Sequence, residues 1–543
     1  MKHLFILSTA LLLTFSNYAL PCLPNGIHFV LQRDADNFHA NYPGCTMIGG
    51  DVEISGVQIN KLEGLKGIAT IGGYLRVDWT SGLSLQGFDS LATIGGDLII
   101  ENNSGLNDLA GLGRLKSVGG GVSLQNNGDL VSLAGLGPLA TIGGDFQIVY
   151  NNRFTSLSGI DSLVSVGGML NIAEIYGLTS LSGLGKLATV GGSLRIFDLS
   201  TLTSLAGLGS LHSVGGELLV WANQKLKSLA GLENFTSLGS MMEIGQNNSL
   251  ASLHGLEGLT TINKYIRITG NYALVNPGGL DHLASVRDSL MVVSNPRLID
   301  FHGLDLLGTI GGKLVITGCD SLKSLTGLDH LASVAGVLCI ANNGSLSAMT
   351  GLGNLSQLPG GLTVTGNNSL ATLEGLTSLS FMGGALTITQ NDSLASLMGL
   401  DNLSTDSLTG FDIEQNKSLA VCNTQRICHI LKAQGNGTII GNTTGCNTRM
   451  EVVSTCNVPV EEHKVEAECR LYPNPATSWL TIALPPDGGR VSLSIVGLTG
   501  VRQLEQAVNE KFTTIDISSL RAGVYVCRLQ TGRTMQTNKL VKW

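Results

Sequence analysis

An apolar anchor returns sixteen times between Ile54 and Ile413, each time inside one short phrase such as Gly95-Gly96-Asp97-Leu98-Ile99-Ile100. The anchors are Ile54, Val77, Ile100, Leu124, Ile148, Ile172, Ile196, Val220, Ile244, Ile268, Val292, Ile316, Ile340, Val364, Ile388 and Ile413. The first two steps are 23 residues, the next twelve are 24 and the last is 25. A fixed period of this size marks a solenoid, in which each coil buries its apolar face only against its neighbours. It fixes an architecture and argues against a deep catalytic pocket.

Counted from Ile100, apolar residues stand at Leu98, Leu106, Leu109, Leu112, Leu115 and Val118, and from Ile196 they recur at Leu194, Leu202, Leu205, Leu208, Leu211 and Val214. Alternation about the anchor is a strand with one buried face. The three-residue spacing after it suits short straight pieces joined by bends, since a helix needs a sustained 3.6 period. Gly111, Gly113, Gly207 and Gly209 oppose a helix as well. The Gly-Gly before each strand is expected to supply positive φ at a tight corner. Three residues past most anchors stands an asparagine (Asn103, Asn127, Asn151, Asn223, Asn247, Asn271, Asn295, Asn343, Asn367, Asn391, Asn416), which predicts a stacked amide ladder rather than glycan attachment at Asn102 or Asn367.

The remaining chain divides around this array. Residues 1–19 read as a secretory signal, because the apolar run from Leu4 to Phe15 follows Lys2 and is too short to span a bilayer. No later stretch has the length of a membrane helix, so an integral membrane protein is not expected. Residues 20–48 form an N-terminal cap, 49–419 the solenoid, 420–456 a cysteine-rich cap, 457–468 a linker and 469–543 a last domain. Ten cysteines in an exported chain imply disulfides, placed where open solenoid ends need closing. Cys22 is expected to pair with Cys45, and Cys422, Cys428, Cys446 and Cys456 among themselves in an order left open; Cys319 and Cys339 fall in different coil positions and read as free thiols. With a net charge of -8 and no basic stripe, nucleic acid is not expected as a partner.

The phrase L-x-x-L-x-G-L-x-x-L-x-x-[IV]-G-G-x-L-x-I resembles the receptor L-domain type of leucine-rich repeat, from about Asn41 to Cys456. The lead-in Phe38 to Thr46 and the segment Cys422 to Cys428 with Cys446 and Cys456 are similar to the ends of bacterial surface proteins of this type. The resemblance implies a mostly-β, right-handed parallel β-solenoid of sixteen coils whose business is binding. The C-terminus carries Leu471-Tyr472-Pro473-Asn474-Pro475-Ala476, then Gly500, Gly523-Val524-Tyr525 and Lys539-Leu540-Val541-Lys542. This resembles the C-terminal sorting domain of the Bacteroidetes type IX secretion system, a small β-sandwich, although Gly497 replaces an expected aspartate or asparagine. It implies the secretion machinery as a partner and the outer-membrane surface or extracellular space as the destination.

No nucleophile elbow, HExxH helix, Walker loop or paired CxxC is present, so no catalytic residue, metal or cofactor is expected. His254 and His302, like His282 and His330, share loop positions two coils apart, about 10 Å, too far for one ion. Ranked threonines at Thr363, Thr365, Thr387 and Thr389 suggest ice binding, but only two coils carry the pair. The outward positions around the anchors are free to vary, and scarce aromatics collect there: Trp79, Tyr150, Tyr176, Phe197 and Trp221, with Leu219 beside them. These six are the candidate ligand ribbon for a protein or glycan. The expected function is a non-enzymatic, surface-displayed binding or adhesion protein; the alternative is a structural spacer or stalk without a ligand. Coils at Asn263 and Arg287, where the Gly-Gly corner is lost, are where a bend is expected.

Overall fold

The structure is a computed structural model in which residues 21–404, 408–433, 437–456, 470–484, 491–497, 502–531 and 534–543 are described. The expected signal over 1–19, the linker over 457–468 and Gly500 lie outside these residues. The chain is mostly β, a parallel β-solenoid of about 17 turns followed by an antiparallel β region. It divides into two compact units, residues 1–154 with 158–163, and residues 155–157 with 164–543.

In the first unit the main sheet stacks Ile27–Phe29, Val52–Ser55, Leu75–Asp78, Leu98–Glu101, Val122–Gln125 and Phe146–Val149 in parallel. Anchor sits on anchor: Val77 faces Ile100, and Ile100 faces Leu124. In the second unit the same register runs from Leu170–Ala173 through Ala385–Thr389 and Gly410–Glu414 to Thr438–Ile440. The strands Ile27–Phe29 and Thr438–Ile440 lie in the caps, outside the sixteen predicted repeats, and extend the sheet by one strand at each end. Their missing Gly-Gly phrase hid them in the sequence; their buried Phe29 and Ile439 continue the anchor column.

Each coil then bends toward a second, two-residue strand, such as Ser117–Val118, which pairs with Thr93–Ile94 and Thr141–Ile142. Leu106, Leu109, Leu112 and Leu115 point inward between the two strands and are fully buried. At about 2 kcal/mol of transfer free energy per buried leucine, this column is the main stabilising contribution.

The corner glycines serve a purpose other than the one expected. Gly95, Gly119 and Gly143 do not have positive φ; a Cβ added to Gly119 would stand 2.2 Å from the Gly95 carbonyl oxygen, and one on Gly143 2.0 Å from that of Gly119. Close stacking, not left-handed backbone, requires these glycines. Positive φ falls instead at the glycine of the leucine segment, for example Gly135 at 112°.

At Asn263 the first corner glycine is missing, and the two-residue ladder breaks between Ser237–Leu238 and Thr261–Ile262. In the neighbouring coil the Gly239 N–H bonds the Val214 carbonyl at 2.9 Å; here the Asn263 side-chain amide donates to Leu238 O at 3.1 Å. The main sheet nevertheless passes in register through both irregular coils. The expected bend is therefore a local rupture of one ladder.

Disulfides join Cys22 to Cys45, Cys422 to Cys446 and Cys428 to Cys456, which settles the order in the C-terminal cap. Cys319 and Cys339 are free, as expected, and burial pushes the Cys319 thiol up to about 11. In the cap, helix Arg449–Thr455 packs on the last strand and helix Gln425–Ala433 packs on that helix. Thr448 caps the second by accepting the Glu451 N–H at 3.2 Å, while the Glu451 carboxylate turns back to the N–H groups of Gly445 (2.5 Å) and Asn447 (2.9 Å). The last domain is a sandwich of a three-stranded sheet (Arg470–Tyr472, Trp479–Ala483, Phe512–Asp516) and a four-stranded one (Arg502–Val508, Val491–Gly497, Gly523–Thr531, Thr534–Lys542). Leu480, Ile482, Leu493, Ile495, Cys527 and Leu529 fill its core.

Candidate functional site

The asparagine column separates structure from potential function. Asn127 donates its side-chain N–H to the Ile100 carbonyl (2.8 Å) and accepts the Asn103 backbone N–H (3.2 Å). Asn247 does the same with Val220 (2.9 Å) and Asn223 (3.0 Å), and Asn367 with Ile340 (2.9 Å) and Asn343 (3.1 Å). All are buried. Asn367 is thus unavailable to a glycan, and the column belongs to the fold.

One residue earlier the backbone is left-handed in coil after coil. The occupants are Gly56, Trp79 (φ 51°), Asn102 (58°), Asn126 (54°) and Tyr150 (57°) in the first unit, and Glu174, Asp198, Ala222, Gln246, Gly270, Ser294, Gly318, Asn342, Gly366, Gln390, Gln415 and Gly441 in the second. Glycine and asparagine visit this region at little cost, whereas a bulky side chain pays about 1–2 kcal/mol. Among the described residues, the aromatic members of this non-glycine set are Trp79 and Tyr150. They are 63% and 45% exposed, so burial does not offset the strain. The sequence showed both aromatics but not the backbone conformation that makes them unusual.

The strands leading into those corners present a largely polar face, interrupted by Ile99 between Arg76 and Ser123. Arg76 Nε lies 2.8 Å from Asp78 and its Nη2 3.9 Å from Glu101; Ser123 Oγ donates to Glu101 (2.6 Å), and Gln125 Nε2 donates to Ser123 (2.9 Å) and Gln147 (3.2 Å). A shallow groove of about 550 Å³ runs over this face, with Asp97, Gly121 and Asp145 on one lip and Glu101 and Gln125 opposite. Beside it in the chain, the Tyr74 hydroxyl donates to Glu53, which raises the phenol to about 12. None of these polar groups was singled out in the sequence, because each type is common on an exposed strand; only their adjacency, set by the register, makes a site.

The other four candidates lie in the second unit. Phe197 and Trp221 are half-buried neighbours in the parallel register. Trp221 lies against Gly245, where an added Cβ would meet its ring at 2.4 Å, and its Nε1 donates to Gln246 at 3.2 Å. Leu219 stands between Arg195 and Glu243 on adjacent strands. Tyr176 is exposed, its phenol raised by the nearby charge of Asp198. The ribbon is therefore two groups: Trp79 and Tyr150 at left-handed corners, and Phe197, Leu219 and Trp221 on strands, with Tyr176 in the bend after its strand.

Three of the four loop histidines are occupied locally: His302 beside Asp300 (3.0 Å), which raises its pKa, His254 beside Glu257, and His282 against the Glu257 carbonyl (2.7 Å). Thr365 and Thr389 hydroxyls bond each other at 2.8 Å. Among the described residues no three His, Cys, Asp or Glu side chains gather as a metal ion would need.

In the last domain, the Tyr472-Pro473-Asn474-Pro475 segment is stitched to the final strand. Asn474 accepts the Val541 N–H (2.8 Å) and donates to the Lys539 carbonyl (2.5 Å), while the Ala476 N–H bonds Val541 O (2.7 Å). Tyr525 donates to Arg521 O at 2.8 Å, two residues before Gly523, which begins the strand. Tyr472 is buried with Phe381, ring centroids 4.8 Å apart, and burial raises its phenol to about 12. Phe381 occupies the outward position that Ser or Thr holds in most coils, for example Ser333 and Thr309.

Two family models match the chain. Residues 44–135 match the receptor L domain, and residues 470–543 match the secretion system C-terminal sorting domain. No curated protein matches it. The type IX sorting domain indicates export to the outer-membrane surface or the extracellular space and implies contact with the secretion machinery. No helix among the described residues is long and apolar enough to cross a membrane.

Proposed function

We propose that this exported chain is a non-enzymatic binding protein that presents the outward face of its solenoid strands to a protein or glycan ligand outside the cell. The observation that carries the reading is the pairing of an ordered polar strand face with exposed aromatics at corners where the fold itself favours glycine or asparagine. A core of interlocking leucines and asparagines leaves only outward positions to vary, so recognition has nowhere else to reside. Adhesion follows if the ligand is carried by another cell or a matrix.

The test is retention of the purified full chain on immobilised cells, matrix proteins and glycans, compared with a variant carrying Trp79→Ala, Tyr150→Ala and Trp221→Ala. Retention that drops at least tenfold in the folded triple variant supports the reading. Equal retention of both proteins would remove the ribbon from consideration, and no retention of either would favour a spacer without a ligand.

A further inference from the structure

Four neighbouring coils of the first unit combine features that the rest of the solenoid does not need. Where Asp97 and Asp145 precede their strands, the coil between them has Gly121, and the absent side chain opens the groove. The Asp97 carboxylate accepts the Gly121 N–H at 2.6 Å, which fixes that lip. Opposite that lip, Glu101, Ser123, Gln125 and Gln147 are already ordered by one another. The strand ends then turn into Trp79, Asn102, Asn126 and Tyr150, with the Asn126 amide donating to Asn102 at 2.9 Å.

From this arrangement we infer that these coils form a binding site for a neutral oligosaccharide, a deepening that rests on the chain being a binding protein. A pyranose ring offers an apolar face that stacks on an aromatic and a rim of hydroxyls that each need a donor or an acceptor. The face supplies carboxylate, amide, hydroxyl and guanidinium groups in one plane, held in place before any ligand arrives. Trp79 and Tyr150 stand three coils apart, about 14 Å at the usual strand spacing, so engaging both takes an oligomer and not a single sugar. An apolar peptide would find little in the groove beyond Ile99 and Val122. An anionic glycan would meet Arg76 alone against Asp78, Asp97, Glu101 and Asp145. The chemistry selects an uncharged sugar chain.

The test uses the full chain on an array of neutral hexose and N-acetylhexosamine oligosaccharides, sialylated and sulfated glycans, and immobilised collagen, fibronectin and laminin. Hits are quantified by titration calorimetry. Trp79→Asn and Tyr150→Asn place a residue suited to left-handed backbone at each corner, so both variants should fold at least as stably as the parent. Expected are retention on neutral oligosaccharides, a Kd raised at least tenfold in each variant and in Gln125→Ala, and no change in Tyr272→Ala, an exposed aromatic of the second unit outside both the groove and the ribbon. Neutral-glycan binding indifferent to both asparagine variants overturns the site, and retention on anionic glycans alone overturns the ligand class. Retention on matrix proteins alone also overturns the sugar while leaving the binding-protein reading intact. Retention on nothing removes both.

Discussion

At the scale of single residues, the repeat assigns different physics to neighbours in sequence. Asn126 and Asn127 stand side by side, yet Asn126 is exposed at a left-handed corner and Asn127 is buried with both amide ends satisfied. Replacing Asn247 with alanine leaves the Val220 carbonyl and the Asn223 N–H without their partner, and is expected to cost about 2–3 kcal/mol in denaturant unfolding. Gly143→Ala forces a Cβ into the Gly119 carbonyl and is expected to cost about 1–3 kcal/mol, while Gly128→Ala, with open space around it, should be neutral or slightly stabilising. The asparagine column was legible in the sequence because burial holds it constant. The role of the corner glycines was misread there, since positive φ and close packing select the same residue and only coordinates distinguish them.

At the scale of elements, each coil is a pair of short strands whose register comes from its neighbours, and the caps are where that rule has to end. The predicted strands, their anchors and the lack of α-helix in the coils followed from periodicity, the coils holding only single 3-10 turns such as Ala110–Leu112. The terminal strands Ile27–Phe29 and Thr438–Ile440 did not, because three residues beside an existing edge need no repeat signature to pair with it. The C-terminal cap depends on Glu451, whose carboxylate the N–H groups of Gly445, Asn447 and Thr448 hold below its ordinary pKa. A depressed folded value means that its contribution is complete above the unfolded pKa of about 4.3 and is lost as pH falls through the folded value. Amide hydrogen exchange at Gly445 and Asn447 should therefore quicken as the pH is lowered below about 4, after correction for intrinsic rates. In Glu451→Gln the protection should be weaker at neutral pH and should lose this acid dependence.

At the scale of the whole molecule, the sequence announced the order of its parts, since a repeat, a cysteine-rich end and a sorting motif each carry a local signature. The candidate site was only half legible: its aromatics were visible, whereas the groove arises from Gly121 lying between two aspartates that are distant in sequence and adjacent in register. Because coils join at equivalent points, removing residues 217–240 should leave a folded solenoid, with Leu199 N–H meeting Asn247 in place of Asn223. Removing 217–239 instead leaves one coil of 25 residues, with the extra residue at the corner directly before the strand; steps of 23 and 25 residues elsewhere keep anchor on anchor, so it should be taken up as a local bulge. Circular dichroism should show the parent's β spectrum for both deletions, with the unfolding midpoint of the first near the parent and that of the second lower.

The asparagine ladder runs one way: where a backbone N–H bonds a neighbouring asparagine, that asparagine is in the C-terminal coil, as from Asn223 to Asn247, Asn247 to Asn271 and Asn416 to Asn442, with Cys319 interrupting the column after Asn295. A chain made from its N-terminus therefore always ends, while it is growing, in a rung whose donor has nothing to hold. Each new coil heals the edge before it and opens another. Asn442 is the last rung: its side-chain amide donates to the Ile413 carbonyl, as the earlier rungs donate to the preceding coil, and also to the Cys446 carbonyl, inside the loop pinned by Cys422–Cys446. The disulfide cap is thus a terminator as much as a cover, and until it forms the molecule carries a raw edge ready to accept whatever strand comes next.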